Sequence, residues 1–384
     1  MKTIFFIFFI SIVLLIHGLV NYYIYARGVQ AFEMFSKSKL FLQIGMSVLV
    51  LSYIIGRVLE RVSSGIFSKF FVIIGSYWFA AMLYFFLVIV LIDLIRVINY
   101  IIPFYPSFIS NSLLKAKAII GFFSVALVTT IMIFGYFNAK NPIIKTIYLK
   151  FAKTSTQFKK LNIVVASDIH LGTLIGKSRL EDLVSKINGL NPDLVLFAGD
   201  VVDEDIKPVI DQDLGNVLLK IKSKFGVFAI TGNHEYIGGV EKACSYLNSH
   251  KVQMIRDSVV KICDVYIAGR EDKDIQRFTG KSRKTVSELL KEVDKSRPII
   301  LLDHQPFDLT SAIAENVDLQ ISGHTHYGQL FPFDLVTKKM FELDWGLLKK
   351  GNTNFYVSCG FGTWGPPIRI GSNSEIVNFN IEFL

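Results

Sequence analysis

The chain has 384 residues, a mean hydropathy of +0.44 and a formal net charge of +9 at pH 7. Residues 1–160 contain 16 lysines and arginines but only 3 acidic residues, whereas residues 161–384 contain 25 lysines and arginines and 29 acidic residues. Because the excess positive charge belongs to the apolar half of the chain, it excludes a nucleic-acid-binding surface spread over the fold, and we expect no nucleic-acid partner.

Four apolar runs predict membrane-spanning helices, since about 20 residues suffice to cross a bilayer. They cover residues 3–25, 40–59, 70–94 and 118–138. The first run follows Lys2, as in a signal peptide, but its length and the lack of a small-residue cleavage site favour an uncleaved helix. We therefore predict a four-helix transmembrane domain over residues 1–140.

The loops between these runs predict an orientation. With the N-terminus in the cytoplasm, ten basic residues lie on the cytoplasmic side and six on the other side, in agreement with the positive-inside rule. Residues 140–160 contribute six lysines and no acid. We predict that residues 141–160 form a basic juxtamembrane linker, either solvated or attracted to anionic lipid, and that residues 161–384 form a cytoplasmic domain.

Strand and helix patterns alternate in the C-terminal region. Strands are predicted at residues 161–167, 193–198, 227–231, 298–302 and 317–321, and helices near 177–188, 214–224, 240–249, 285–295 and 308–315. This alternation predicts an α/β domain with parallel-rich sheets and outer helices. Strand patterns at residues 354–358 and 375–381 predict antiparallel additions to a second sheet.

Each of the five predicted strands is followed by side chains of the metal-ligand type. In chain order these are Asp168 and His170; Asp200 and Asp203; Asn233 and His234; His304; and His324 and His326. Taken singly, each motif is typical of a capping pair, a turn or a core histidine. Because the carboxyl ends of neighbouring strands share one edge of a sheet, the five together indicate a single site. Imidazoles and carboxylates without thiolates favour catalytic Mn, Fe or Zn over structural zinc.

The ordered series D-x-H, G-D-x-x-D, G-N-H-E, a lone histidine and G-H-x-H resembles the calcineurin-like metallophosphoesterases from residue 161 to the C-terminus. The sequences at 360–363 and 366–369 resemble a tail of membrane-associated members, and the whole layout resembles transmembrane proteins with a metallophosphoesterase domain. The resemblance implies a two-sheet αββα sandwich over residues 161–384 that holds two divalent metal ions.

The resemblance also implies a role for each motif residue. The metal ligands would be Asp168, His170 and His326 at the first ion, Asn233, His304 and His324 at the second, and Asp200 between the two. His234 would contact the phosphate and protonate the leaving oxygen, and Asp203 would hold the imidazole of His234. Glu235 is expected only to begin a helix, where an acid is favoured.

The implied activity is hydrolysis of a phosphodiester, pyrophosphate or phosphomonoester by attack of a metal-bridged hydroxide. A lipid or lipid precursor is the preferred substrate. The alternatives are a phosphodiesterase acting on soluble nucleotides and a non-catalytic membrane receptor or scaffold with the same fold. The expected location is a bacterial cytoplasmic membrane, with the lipid bilayer as partner and the catalytic domain facing the cytoplasm; the oligomeric state is left open.

Residues 330–350 are dense in apolar side chains and contain four lysines. One interpretation is an amphipathic, membrane-facing element that admits a lipid-linked substrate. The other is an ordinary loop whose apolar residues pack on the sheet. Tyr327, next to Gly328, departs from the small residue common in the family, and we expect it to influence substrate choice.

Overall fold

The computed structural model describes residues 2–35, 37–62, 65–155 and 157–384. The internal contacts divide the chain into two units, Met1–Gly135 and Tyr136–Leu384. The first is helical and the second is α/β.

Long apolar helices dominate the N-terminal unit. The helices are α1 (Lys2–Ala31), α2 (Ser38–Val62), α3 (Ile66–Ile101), α4 (Ser107–Ser110) and α5 (Leu113–Lys140), the last of which ends within the second unit. All four predicted helices are confirmed, and α4 is an additional short turn of helix. Among the described residues, four helices (α1, α2, α3 and α5) are long and apolar enough to cross a membrane.

The C-terminal unit contains strands and shorter helices in alternation. Its strands are β1 (Ile143–Phe151), β2 (Lys160–Ala166), β3 (Leu194–Phe197), β4 (Val227–Ala229), β5 (Val252–Met254), β6 (Ser258–Ile262), β7 (Val265–Gly269), β8 (Ile299–Leu302), β9 (Leu319–Ser322), β10 (Gly346–Lys350), β11 (Thr353–Val357) and β12 (Glu375–Phe383). Its helices are α6 (Lys177–Gly189), α7 (Lys207–Asp211), α8 (Leu214–Leu218), α9 (Asn233–Gly238), α10 (Val240–Ser249), α11 (Ile275–Thr279), α12 (Val286–Leu289), α13 (Thr310–Ala314) and α14 (Asp334–Met340).

In the described part of the chain these strands form two six-stranded sheets. The first has the order β1-β12-β2-β3-β4-β5 and the second the order β10-β11-β9-β8-β7-β6. Strands β2, β3, β4 and β5 are parallel to one another, as are β7, β8, β9 and β11. Their carboxyl ends therefore lie along one rim of each sheet.

Alternating side chains build the layers. On β2, Leu161, Ile163 and Val165 belong to a core that also contains residues of β8 and β9, so it lies between the sheets. Val164 points to the other face, where a second core contains residues of α6, α8 and α10. A third core joins the second sheet to α12 and α13. The predicted αββα arrangement is confirmed.

The structure differs from the sequence prediction at two places. Residues 141–160, expected to be a linker, contain strand β1, which pairs in parallel with β12. The pairing buries Ile147, Leu149 and Phe151, which alternate with Tyr148 and Lys150. In addition, β11 runs parallel to β9, and β12 lies in the first sheet, antiparallel to β2, because its apolar side chains fill the core between the sheets.

Candidate metal centre

The five predicted motifs meet at the rim formed by the carboxyl ends of the strands. The motif residues follow β2, β3, β4, β8 and β9 directly, and parallel pairing brings these strand ends side by side. All seven proposed ligands, together with His234 and Asp203, lie in this one region.

The first group of side chains contains Asp168, His170 and His326. Their ligand atoms lie within 4.8 Å of one another, and all three residues are buried. The His170 Nε2 and His326 Nε2 atoms are 3.1 Å apart, and His326 Nε2 is 3.5 Å from Asp168 Oδ1. Imidazole nitrogens that face each other at this distance beside a carboxylate are arranged as metal ligands are.

The second group contains Asp200, His304 and His324, again with ligand atoms within 4.8 Å. His304 Nε2 is 3.0 Å from Asp200 Oδ2, and His324 Nδ1 is 2.9 Å from Asn233 Oδ1. His304 Nδ1 lies 2.7 Å from the carbonyl oxygen of Ala198, which sets the ring orientation. Asp200 Oδ2 is also 4.0 Å from His170 Nε2, so this carboxylate stands between the two groups.

Asp203 lies beside both groups. Its Oδ1 is 3.0 Å from His234 Nδ1 and 3.5 Å from His170 Nδ1. Burial disfavours a charged imidazole, but the charges of Asp200 and Asp203 outweigh it and raise the pKa of His234 to about 9. His234 therefore carries a proton at neutral pH, as a general acid must.

The backbone at the rim is tightly constrained. Five of the seven proposed ligands have a left-handed backbone, with φ between 48° and 71°: Asp168, His170, Asp200, His324 and His326. Such conformations are costly for residues other than glycine and are concentrated at functional sites. A methyl group on Gly323 would overlap Ser167 and Asp168, so only glycine permits this close approach.

Burial and neighbouring charges act in opposite directions on the pKa values of several rim residues. Burial raises the pKa of Asp168, whereas for Asp200 the charges of His304 and His234 outweigh it and hold the pKa well below its usual range. Burial lowers the pKa of His324 to about 3 and that of His326 well below its usual value. Neutral imidazoles retain the lone pair that a metal ion needs.

The donor set fits divalent cations. Asp168 and Asp200 are 0% and 2% exposed, and among the described residues their ion-pair partners are histidines, not lysine or arginine. Buried carboxylates require a compensating positive charge. Each group offers such a carboxylate together with imidazoles, and Mn, Fe and Zn prefer this combination of ligands.

A cavity of about 430 Å³ opens over the centre. Its floor contains polar residues of both motifs after β4 and β9, whereas its wall is apolar, with Phe333, Val336, Met340, Phe341 and Trp364. Part of the segment at residues 330–350 packs on the domain, as one interpretation of its sequence predicts, and other apolar side chains of the segment are exposed. Phe341 is 8% exposed and packs near Phe307, but Val336 and Met340 are 49% and 60% exposed.

Glu235 has a larger role than the sequence indicated. Its fully buried carboxylate accepts hydrogen bonds from the backbone nitrogens of Gly232, Asp200 and Val202 at 2.7, 3.2 and 2.9 Å. It lies in the first turn of α9, near the helix start where the sequence placed it, and also fixes the loop that carries Asp200. Burial, together with the charge of Asp200, raises the pKa of Glu235 to about 7.

Arg369 was not predicted to contribute to the site. It is 0% exposed, and its guanidinium donates to the carbonyl oxygens of Cys359, Gly362 and His326 at 2.6, 2.7 and 3.3 Å. Its Nη2 also lies 3.3 Å from His326 Nδ1. Arg369 therefore connects the C-terminal tail to His326, a proposed metal ligand. In the sequence, the only indication of this role was the position of Arg369 in the tail motif at residues 366–369.

Two sheets flanked by helices, with paired groups of metal-ligand side chains on one rim, are the fold and site of a metallophosphoesterase. Residues 161–328 match the calcineurin-like phosphoesterase family. An Aquifex aeolicus metallophosphoesterase is 33% identical over 248 residues, covering 62% of this chain and 94% of that protein. The chain belongs to the calcineurin-like phosphoesterase family.

Two further relatives are similar over part of their length. A Helicobacter pylori metallophosphoesterase is 38% identical over 220 residues, which cover 57% of this chain. The transmembrane protein with metallophosphoesterase domain of Danio rerio is 32% identical over 274 residues, which cover 67% of this chain. The matches span 59% and 62% of those relatives. The four apolar helices, together with the transmembrane protein among the relatives, indicate a membrane protein.

Proposed function

We propose that this protein is a membrane-anchored hydrolase of phosphoesters that depends on two divalent metal ions. The observation that carries the proposal is the convergence of carboxylates, imidazoles and the Asn233 amide from five separate strand ends into two groups beside one cavity. Family membership supports the same reaction class. An intact ligand set is not expected of a scaffold, which needs only the surface of the fold.

The proposed ligands divide between the two ions as the geometry groups them. Asp168, His170 and His326 would hold the first ion; Asn233, His304 and His324 would hold the second; and Asp200 would contact both. Bound divalent ions would supply charge neutralisation at the phosphoryl oxygens and lower the pKa of water. We propose Mn, Fe or Zn as the metals, because the ligand set combines imidazoles, which are borderline ligands, with carboxylates, which are hard ligands.

His234 and Asp203 would together deliver a proton to the leaving oxygen of the substrate. His234 lies in the cavity beside Asn233 and bears a proton at neutral pH, so it can protonate the leaving oxygen. Asp203 Oδ1, 3.0 Å from His234 Nδ1, keeps the ring oriented with Nε2 available for the substrate.

A phosphodiester or pyrophosphate of a membrane lipid or lipid precursor is our preferred substrate, supported by the apolar wall of the cavity. A soluble nucleotide is the second candidate, because Trp364 lines the cavity and offers a ring on which a base can stack.

The test is a metal analysis combined with a hydrolysis screen. The full chain, purified in detergent or bilayer discs, is assayed on phosphate monoesters, diesters and pyrophosphates before and after chelation. We expect close to two divalent ions per chain, hydrolysis of at least one class, loss of activity on chelation and recovery with Mn, Fe or Zn. Tightly bound metal without turnover on any class would favour a scaffold.

We further propose that the catalytic domain faces the cytoplasm in a bacterial cytoplasmic membrane, on the basis of the lysine-rich segment after the last span. Of the three cysteines, all free, Cys263 is exposed and Cys244 and Cys359 are buried. A membrane-impermeant maleimide should therefore label inverted vesicles at Cys263 but spare intact spheroplasts. The Cys263→Ser variant is the control, and labelling of intact spheroplasts would reverse the orientation.

A further inference from the structure

Helix α14 lies on the surface of the domain without a buried residue. One face exposes Leu335, Val336 and Met340, which are 53%, 49% and 60% accessible, together with Lys339. The opposite face is held to the domain: Thr337 Oγ1 donates to Asp344 Oδ2 at 2.8 Å. An apolar face that is held outward costs solvation free energy unless something covers it.

The exposed face is continuous with the wall of the metal cavity. Val336 and Met340 line that cavity on one side, and Trp364 lines it on another. Trp364 is 60% exposed, and its ring centroid lies 6.2 Å from that of His234. The uncovered apolar surface therefore borders the opening through which a substrate reaches the proposed proton donor.

The C-terminal unit also contains the last turn of helix α5, which is long and apolar enough to cross a membrane. Residues 136–140 end α5 and belong to the C-terminal unit. The carbonyl oxygen of Ala139 accepts hydrogen bonds from Ser374 Oγ and Arg179 Nη2, both at 2.8 Å, and Asn138 Nδ2 donates to the carbonyl oxygen of Arg369 at 3.3 Å. These bonds fix the last turn of α5 to the catalytic domain.

A row of contacts connects this turn to α14. Glu375, next to Ser374, accepts a hydrogen bond from Trp345 Nε1 at 3.2 Å. The Trp345 ring lies 5.0 Å from that of Tyr327, over which Lys338 of α14 is placed at 5.0 Å. Lys145 also lies over Trp345, at 4.5 Å. Tryptophan, tyrosine and lysine are the residues enriched where a membrane protein meets the bilayer surface.

We propose that Leu335, Val336, Lys339 and Met340 of α14, together with Trp364, form a docking surface that lies in the bilayer interface and admits amphiphilic phosphoesters to the metal cavity. The bilayer is the occupant that these observations favour, because a row of contacts links α14 to the last turn of α5. The surface also combines apolar side chains with lysine, which attracts anionic lipid. The docking itself needs no catalysis; the choice of substrate rests on the proposed function.

Tryptophan fluorescence tests the docking. The chain has three tryptophans, so replacing Trp78 and Trp345 with phenylalanine leaves Trp364 as the only emitter. The full-length variant is placed in discs of phosphatidylcholine and phosphatidylglycerol with or without brominated acyl chains. Because interfacial apolar residues reach the boundary of the acyl chains, we expect bromine to quench about half of the Trp364 emission.

In the matched control, Trp78, Trp345 and Trp364 are all replaced with phenylalanine, and Cys263→Trp supplies the single tryptophan. Cys263 is exposed in the turn at the amino end of β7, whereas the metal centre lies at the carboxyl ends of the strands. Bromine should therefore not quench a tryptophan at position 263. Equal emission of Trp364 in the two kinds of disc would overturn the docking. Burial of Trp364 against a second copy, detected as concentration-dependent protection, would also overturn it.

A second experiment separates docking from catalysis. Leu335→Asp with Lys339→Asp changes two exposed residues of the docking surface that do not line the cavity. We expect turnover of a phospholipid phosphoester in vesicles to fall about tenfold, with less than about a twofold change on a soluble aryl phosphoester. Leu219→Asp, an exposed apolar residue between α8 and β4, is the control and should leave both unchanged.

The outcomes are distinguishable. Equal loss on both substrates, or no loss on either, would overturn delivery through the docking surface. If the wild-type chain hydrolyses no class of phosphoester in the screen, the proposed function fails, and bromine quenching of Trp364 still decides the docking alone.

Discussion

Asp200→Asn is expected to lower phosphoester hydrolysis by more than about 100-fold. Changing a residue that only hydrogen-bonds to a metal ligand already lowers activity by about 10- to 100-fold, and Asp200 is itself a proposed ligand. The amide has the size of the carboxylate but lacks its charge, and Asp200 stands between the two ligand groups. Metal analysis should show that the variant binds fewer ions than the wild-type chain.

Thermal unfolding provides a second readout for Asp200→Asn. Added Mn should raise the unfolding temperature of the wild-type chain, since an ion present at 100 times its Kd stabilises the folded state by about 2.7 kcal/mol. The variant should respond less. Asp211→Asn, on the exposed end of α7, serves as the control and should behave as wild type. Full activity and full metal content in Asp200→Asn would remove this residue from the proposed centre.

His234→Ala should lower hydrolysis of alkyl phosphoesters by about 10²- to 10⁴-fold, the usual contribution of a general acid. Metal content should stay unchanged, since His234 is not among the proposed ligands. The loss should be much smaller for nitrophenyl esters, because a nitrophenolate leaves without protonation. Turnover is measured on both ester types over a range of pH.

Comparison of the two ester types isolates the proton transfer. His250→Gln is the matched control, since His250 lies at the end of α10 and its Nδ1 is 2.7 Å from the carbonyl oxygen of Tyr246, away from the cavity. If His234→Ala loses activity equally on alkyl and nitrophenyl esters, the residue binds or positions the substrate and does not donate the proton.

The positions of the ligand-type residues could be predicted because each one follows a strand. Short apolar runs end at Asp168, Asp200, Asn233, His304 and His324, and parallel strands bring their carboxyl ends to one rim. Helix α6 was equally predictable from its amphipathic pattern. Predicted helices near residues 214–224 and 285–295 are shorter in the structure, where they end at Leu218 and Leu289.

Strand β1 could not be recognised from its composition. The lysines of residues 140–160 indicated a solvated segment, although Ile147, Leu149 and Phe151 alternate with exposed residues. Only pairing with β12, more than 200 residues away, gives these side chains a core to enter. Arg369 was hidden for the same reason, since its carbonyl partners come from a folded tail and from His326.

By itself, the sequence determined the chemistry of the side chains and the length of the apolar runs, because both depend on residue type and local order alone. It therefore predicted a membrane anchor, an α/β domain and a set of metal-ligand residues. Tertiary structure decided which ligands stand together, that Glu235 and Arg369 support them, and that the apolar face of α14 remains uncovered beside the cavity. Those features depend on contacts between distant segments, which no local pattern encodes.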